Sequence, residues 1–236
     1  GVGQFHAGGD GGRFLPDRQV HRAVDQAARV AFFSALLEQT DEVHLPQRLA
    51  QLFAGEVFCL DLARRVAARF DTAQGEQARA RLDSPLAQRF TAAERAVGEQ
   101  PEGLAEYRQR LQEQPPRGAR LDLVKRLDAA ARTTELASLL RYEVGKTQAL
   151  LALRARGENL SEAELQAQTQ TQANAIRQSS EQAVETFMFY AYRQMPSDQL
   201  AEYAALYEHP SVSQLLAISL DVVPQLFAER REQLRK

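Results

Sequence analysis

The stretch that decides the fold is "SEAELQAQTQTQANAIRQSSEQAVETFMFYA" at 161–191. Ser161 followed by Glu164 is a capping box, the signature of a helix start. Beyond it, apolar and small residues recur close to the 3.6-residue period of an α-helix. The pattern predicts a long helix to Ala191 whose buried stripe contains Leu165, Thr169, Ala173, Ile176, Ser180, Ala183, Val184, Phe187 and Ala191.

The same kind of pattern extends outward over most of the chain. From Asp17 onward, Ala, Leu, Gln, Glu and Arg dominate, and the alternation typical of β-strands is absent. Ser84 before Pro85 predicts an N-cap followed by proline at the first helical position. Thr72 and Ser197 are also predicted as N-caps. We therefore expect an all-α fold.

A sequence repeat indicates how these helices are organised. The segment "VDQAARVAFFSALL" at 24–37 aligns without gaps with "LDAAARTTELASLL" at 127–140, and six of the fourteen positions are identical. Segment 70–97 aligns with 195–222, which pairs Pro85 with Pro210. Alanine-rich helices also align by chance, so coincidence is the alternative. We predict a duplicated repeat of about four helices per copy, packed as one helical assembly.

This repeat defines the predicted domain organisation. Residues 1–16 form a Gly-rich N-terminal segment with little to bury, and we expect it to be flexible. Residues 17–98 form the first helical repeat, and residues 118–236 form the second, with longer helices. Residues 99–117 form a linker that is helical in part.

The second copy, about 118–232, carries two further stretches: "VKRLDAAARTTELASLL" and the aromatic-rich "ETFMFYAYRQMPSDQLAEYAALYEHPSVSQLL". Their order resembles the bacterial domain of unknown function 2059 family, with a divergent copy in the first half of the chain. "MPSDQL" stands where that family starts a helix, and "LYEHP" stands where it breaks into the last one, with His209 in place of the usual Ser. The resemblance implies a helical, exported protein of the periplasm or envelope with no assigned activity. A cytoplasmic location is the alternative.

Charge and hydropathy restrict the classes of partner. The chain has 29 basic and 31 acidic residues, and its net charge is −2. No basic stripe is present to neutralise phosphates, so we predict that the protein does not bind nucleic acid. No uninterrupted apolar run approaches the roughly 20 residues that cross a bilayer, so we predict no transmembrane segment. The single Cys59 excludes an internal disulfide.

Few residues form a catalytic or metal-binding pattern. Asp41 and His44 have the carboxylate–histidine spacing of di-metal bundles, but one such pair is more typical of a polar helix end. Cys59 lies among apolar residues, which favours a buried, inert thiol. Glu181 and Glu185 lie one turn apart and could act as acid and base, although a solvated helix face more often explains such a pair. We predict no catalytic, cofactor-binding or metal-binding residues.

The aromatic segment 184–195 contains the candidate interaction residues. On a helix, Phe189 and Tyr192 point away from the predicted buried stripe and lie near Arg193. Either the other repeat or the C-terminal helix covers them, or the three residues form the surface for a homodimer or a protein partner. Aromatic residues and arginine are enriched at interface centres, which motivates the second interpretation.

Two classes of function are consistent with the sequence. The first is a non-enzymatic binding or structural protein of the bacterial envelope, without a cofactor, whose partner the sequence does not identify. The second is a hydrolase-type enzyme whose active site is assembled only in three dimensions, between the repeats. We favour the first, because residues of catalytic type do not cluster in the sequence.

Overall fold

The computed structural model describes residues 55–100 and 102–236, and these residues form α-helices joined by short turns. Within those two ranges there is no strand, so the prediction of an all-α fold is confirmed there. A short 3₁₀ turn, Gln170–Gln172, separates two of the helices. The helices are α1 (Gly55–Ala68), α2 (Thr72–Leu82), α3 (Pro85–Glu99), α4 (Glu102–Glu113), α5 (Ala119–Ala131), α6 (Thr133–Ala155), α7 (Glu162–Thr169), α8 (Ala173–Ala191), α9 (Ser197–Glu208) and α10 (Pro210–Arg235).

Two prolines begin helices, as the sequence predicts. Ser84 is the N-cap of α3, and its Oγ accepts a hydrogen bond from a backbone N–H of the first turn at 3.3 Å. His209 has the same place before α10, where its Nδ1 accepts from a first-turn N–H at 3.2 Å. Pro85 and Pro210 then fill the first helical position, where the missing N–H removes no helical hydrogen bond.

Two other predicted N-caps are wrong by one residue. Thr72 and Ser197 are the first helical residues of α2 and α9. Asp71 caps α2, because its carboxylate accepts a hydrogen bond from the Gln74 N–H at 2.8 Å. Pro196 precedes α9 and makes no side-chain capping bond. At α2, a carboxylate one residue earlier satisfies the same exposed N–H groups that the Thr72 hydroxyl was expected to satisfy.

The predicted long helix of 161–191 is divided into α7 and α8. Its start is as predicted, since Ser161 Oγ accepts a hydrogen bond from the N–H three residues on at 3.2 Å. The 3₁₀ turn at Gln170–Gln172 then interrupts it. Just before the turn, Thr169 Oγ1 donates to the Leu165 carbonyl at 2.8 Å, and back-bonding of this kind bends helices.

The core is organised around α8 and α10, which between them contact most of the other helices. Helix α8 packs against α3, α4, α5 and α6, while α10 packs against α1, α2, α5, α6 and α9. Side chains of α1 and α10 belong to one continuous apolar cluster, and the ring centroids of Phe58 and Phe227 are 5.1 Å apart. The described parts of both predicted copies therefore share one core.

Helix α10 corrects one prediction about the membrane. Its 26 residues include an 18-residue window with a mean hydropathy of 1.3 and at most two charged residues. By length and composition it is able to span a bilayer, so the prediction of no transmembrane segment is wrong. Polar residues such as Ser213, Gln214 and Asp221 interrupt the apolar run, but the mean hydropathy of the window stays high despite them. In the folded chain, 56% of this window is buried.

Part of the predicted organisation lies outside the described residues. These include the N-terminal segment 1–16 and the first-copy stretch 24–37, which the structure does not describe. Helix α4 lies within the predicted linker, 99–117. The duplication therefore stays a prediction, although both of its proline breaks begin helices.

Candidate functional site

A carboxylate is buried where α3, α8 and α9 meet. Glu94 of α3 is only 8% exposed. Tyr192, which follows the last residue of α8, donates its hydroxyl hydrogen to Glu94 Oε1 at 2.6 Å. Tyr203 of α9 donates to the same oxygen at 3.1 Å, and the Tyr207 hydroxyl lies 3.4 Å from that of Tyr203. We call these four residues the Glu94 cluster.

Helix periodicity and ring packing position the cluster. Tyr203 and Tyr207 are four residues apart, so both rings project from one face of α9. Phe90 lies one turn before Glu94 on α3 and stacks on the Tyr203 ring, with centroids 4.2 Å apart and planes 17° apart. It also packs against Tyr192 at 5.0 Å, in a tilted arrangement. These contacts hold the hydroxyl groups against the carboxylate.

Burial changes the protonation of the cluster. Loss of hydration raises the pKa of Glu94 from 4.5 to about 7, against the opposing effects of the Tyr192 and Tyr203 hydroxyls and of Arg95. Burial and then the nearby carboxylate raise the pKa of both tyrosines well above their usual value. The tyrosines are therefore neutral hydrogen-bond donors at neutral pH, where Glu94 is close to the midpoint of its titration.

The space beside the cluster is small. The cavity has a volume of about 10 Å³ and is lined by the cluster together with Leu127, Ala131, Thr133 and Met188. A cavity needs roughly 10–15 Å³ to hold one water molecule. The space beside the Glu94 cluster is therefore about the size of one water molecule, and in this conformation it has no room for a substrate.

A second buried polar group joins α6, α7 and α10. Arg231 is 1% exposed and donates to Glu143 Oε2 at 2.8 Å and to Glu162 Oε1 at 2.8 Å. Lys146 Nζ lies 3.6 Å from the Glu143 carboxylate. Burial alone would raise the pKa of Glu162, but hydrogen bonds from Arg231 and Arg235 hold it below its usual value. The positive and negative charges of this group compensate one another, which is the arrangement of a structural ion-pair network.

An open groove of about 460 Å³ lies between α4 and α8. One wall comes from α4 and the turn after it, and the other wall comes from α8. The lining mixes apolar, amide and charged side chains and is therefore suited to a ligand of mixed polarity. It consists of Arg108, Leu111, Gln112, Pro115 and Pro116 on the first wall, and Gln182, Ala183, Glu185 and Thr186 on the second.

Tyr190 attaches α4 to α8 beside this groove. Its ring packs against Tyr107 of α4 with centroids 5.4 Å apart, and the Arg193 guanidinium lies over the same Tyr190 ring, with Cζ 4.1 Å from the centroid. The Tyr190 hydroxyl lies so close to Gly103 that a Cβ there would overlap with it. Leu104 is the fully buried apolar side chain of α4. The α4 wall therefore depends on a small set of contacts.

The structure separates the three candidate interaction residues. Phe189 and Tyr192 are 8% and 1% exposed, so neither belongs to an exposed partner surface. Tyr192 instead joins the two predicted copies, through its contacts with Phe90 and Glu94. Arg193 is exposed and donates a hydrogen bond to the Tyr190 carbonyl at 2.7 Å.

The other chemical candidates are also dispersed. Asp41 and His44 lie outside the described residues, as does the Cys59 side chain. In the part of the chain that the structure describes, no group of three or more His, Cys, Asp or Glu residues could hold a metal ion. Glu181 is exposed, whereas Glu185 is half-buried and lines the groove. Burial raises the pKa of Glu185, while nearby Lys125 lowers it.

The sequence does not by itself indicate Glu94 as a site residue, although it contains one signal. Phe90, Glu94 and Val97 fall within one arc of a 100°-per-residue helix, so a charged residue interrupts an apolar stripe. A buried charge of this kind needs hydrogen-bonding partners. Those partners, Tyr192 and Tyr203, are 98 and 109 residues away, and no local pattern indicates the pairing.

No protein-family model, curated protein or solved structure matches the chain. The resemblance to the domain of unknown function 2059 family therefore stays a prediction. Two features of the described residues have distinctive geometry: the Glu94 cluster and the α4–α8 groove.

Proposed function

We propose that the chain is a non-enzymatic binding protein that holds an extended peptide segment in the groove between α4 and α8. One observation supports the proposal: the buried Glu94 carboxyl, whose pKa is raised, and the open groove lie in different places. The Glu94 cluster adjoins about 10 Å³, whereas the groove offers about 460 Å³. Ligand pockets measure roughly 300–1,000 Å³, so of these two spaces the groove has the suitable size.

The chemistry of the groove suits a peptide. Gln112 and Gln182 present side-chain amides from opposite walls, and an amide both donates and accepts hydrogen bonds, as a peptide backbone does. The leucine and the two prolines of the α4 wall provide apolar surface for side chains. Arg108 and Glu185 contribute one charge of each sign, which fits a polypeptide better than an anionic polymer or a lipid chain.

A hydrolase-type enzyme is the second candidate function, and the pKa of about 7 at Glu94 is the observation that favours it. A general acid must lie within hydrogen-bond reach of its substrate. Glu94 Oε1 already accepts hydrogen bonds from two tyrosines, and the adjacent cavity has the size of a water molecule. The groove lining contains one carboxylate, Glu185, and no histidine, cysteine or serine. These observations favour binding over catalysis.

Location and ancestry extend the proposal. We infer an exported protein of the bacterial envelope, on the basis of the resemblance in residues 118–232. Cell fractionation tests this inference: an antibody against the protein should detect it in the periplasmic or membrane fraction of the native bacterium, and not in the cytoplasmic fraction alone. Recovery in the cytoplasmic fraction alone would contradict the inference.

The internal duplication of 17–98 and 118–236 is proposed on similar grounds. Its support is the shared start of α3 and α10, in which a side-chain N-cap precedes a proline at the first helical position. An experimental structure that includes 24–37 would test it. One rotation should superpose 24–37 on 127–140 and the start of α3 on the start of α10.

Selection from a displayed library of random peptides tests the binding proposal. The purified chain should enrich peptides that bind reversibly, and Thr186→Arg should weaken their binding by roughly tenfold or more, equivalent to about 1.4 kcal/mol. Thr186 lines the groove, and arginine at that position would occupy the space of the ligand.

Ala205→Arg is the matched control. Ala205 is exposed on α9, so an arginine at this position adds the same charge outside the groove. The control should bind the selected peptides as the unmodified chain does. Equal weakening by both substitutions, or enrichment of no peptide, would contradict the proposed function. Thermal melts of both variants establish that they are folded.

A further inference from the structure

Glu94 joins parts of the chain that are distant in sequence. It belongs to α3, while its hydrogen-bond donors Tyr192 and Tyr203 lie at the end of α8 and in α9. Phe90, one turn away on α3, packs against both of these rings. A single carboxyl group therefore lies at the centre of the contact between α3 and the later helices.

We propose that the Glu94 cluster is a proton-controlled latch, which holds α3 against α8 and α9 while the Glu94 carboxyl is protonated and loosens when it ionises. A protonated carboxyl can donate a hydrogen bond and still accept from the tyrosines. The ionised group only accepts, and it carries a charge into a buried site. Separation of α3 from the tyrosines would hydrate that charge.

Among residues 55–100 and 102–236, the groups that line the space beside Glu94 include no cation. Tyr192, Tyr203 and Tyr207 are the titratable groups that α8 and α9 contribute, and each is neutral near pH 7. The remaining cavity residues, from α5, α6 and α8, are uncharged: Leu127, Ala131, Thr133 and Met188. Arg95 is next to Glu94 on α3 but is exposed, and its effect on Glu94 is the smallest of those acting on it.

The size of the expected effect follows from the difference in proton affinity. The pKa of Glu94 is about 7 in the closed arrangement and 4.5 when the group is hydrated. The equilibrium constant for opening should therefore rise by roughly 70-fold between pH 5 and pH 8. Such a change is large enough to measure in the native protein.

Hydrogen exchange of α3 tests the latch. After correction for the intrinsic pH dependence of exchange, protection of α3 should fall between pH 5 and pH 8 in the unmodified chain. Glu94→Gln should remove this dependence, because glutamine accepts both tyrosine hydrogen bonds but does not titrate. Glu99→Gln is the control: Glu99 is exposed on the same helix, and its replacement should leave the pH dependence unchanged.

Protection of α3 that is independent of pH in the unmodified chain would overturn the proposal. A pH dependence in the Glu94→Gln variant equal to that of the unmodified chain would do the same. If that variant does not fold, the carbon-13 shift of the Glu94 carboxyl in the unmodified chain decides the matter. A titration midpoint near pH 7 supports the latch, and a midpoint near 4.5 overturns it.

Discussion

Replacement of Arg231 by methionine should destabilise the protein strongly. Arg231 is 1% exposed, and Glu143, to which it donates at 2.8 Å, is 3% exposed. Removal of one partner from a buried ion pair typically costs about 3–5 kcal/mol, because the remaining charge is buried without compensation. Lys146 Nζ stays 3.6 Å from Glu143 and compensates in part, so we expect about 3 kcal/mol.

The assay is equilibrium unfolding in urea at pH 7, with Arg65→Met as the control. Arg65 also pairs with a glutamate, Glu229, but their side chains are 38% and 54% exposed. Exposed pairs contribute about 0–1 kcal/mol, so the control substitution should have a correspondingly small effect. The comparison makes the same chemical change at a buried and at an exposed ion pair.

The double variant Glu143→Met with Arg231→Met isolates the pairing itself. It removes both charges of the Arg231–Glu143 pair, so it should be less destabilised than the sum of the two single substitutions. The reasoning would be refuted by a cost for Arg231→Met no greater than that for Arg65→Met. Strict additivity of the two single substitutions would refute it as well.

Three further predictions concern caps, packing and pH. Ser84→Ala should lower the free energy of unfolding by about 0.5–2 kcal/mol through loss of the α3 N-cap, and an unchanged melting temperature would contradict this. Gly103→Ala should displace the Tyr190 ring and lower the protection of α4 from hydrogen exchange, whereas α6 should be unaffected. The folded chain retains at Glu94 a proton that the unfolded chain releases near pH 4.5, so stability should fall as pH rises from 4.5 to 7. The loss of stability should reach about 3 kcal/mol and then level off above pH 7. The Glu94→Gln variant should not lose stability in this range. If the stability of both proteins changes with pH in the same way, Glu94 is not the group responsible.

The fold was largely predictable because helix formation depends on local patterns. Periodicity indicates the helices, and the Ser84–Pro85 boundary is determined by residues within one turn of each other. The errors also have local causes. Asp71 replaces Thr72 as a cap, and the hydrogen bond from Thr169 to the backbone accompanies the break in the predicted long helix. The membrane-spanning potential of α10 was not predicted because polar residues interrupt its apolar run, although the mean hydropathy of an 18-residue window is high.

The candidate site was not predictable, because its parts are distant in the sequence. Glu94 and its tyrosine partners are separated by about half of the chain. The α4–α8 groove combines a segment that was predicted as a linker with the helix that was predicted to bear a partner surface. Phe189 and Tyr192 were placed on a polar face by helix geometry, but the packing of other helices buries them. Tertiary packing determines whether a residue on a polar helix face is buried, and helix periodicity alone does not describe that packing.

The most direct test of the binding proposal is to map the bound peptide on the protein. Amide chemical shifts of the nitrogen-15-labelled chain should be recorded with and without the tightest peptide from the library. We expect the largest shifts in two places: the α4 wall around Arg108 and Gln112, and the α8 wall from Gln182 to Thr186. Largest shifts elsewhere, with these two walls unchanged, would contradict it.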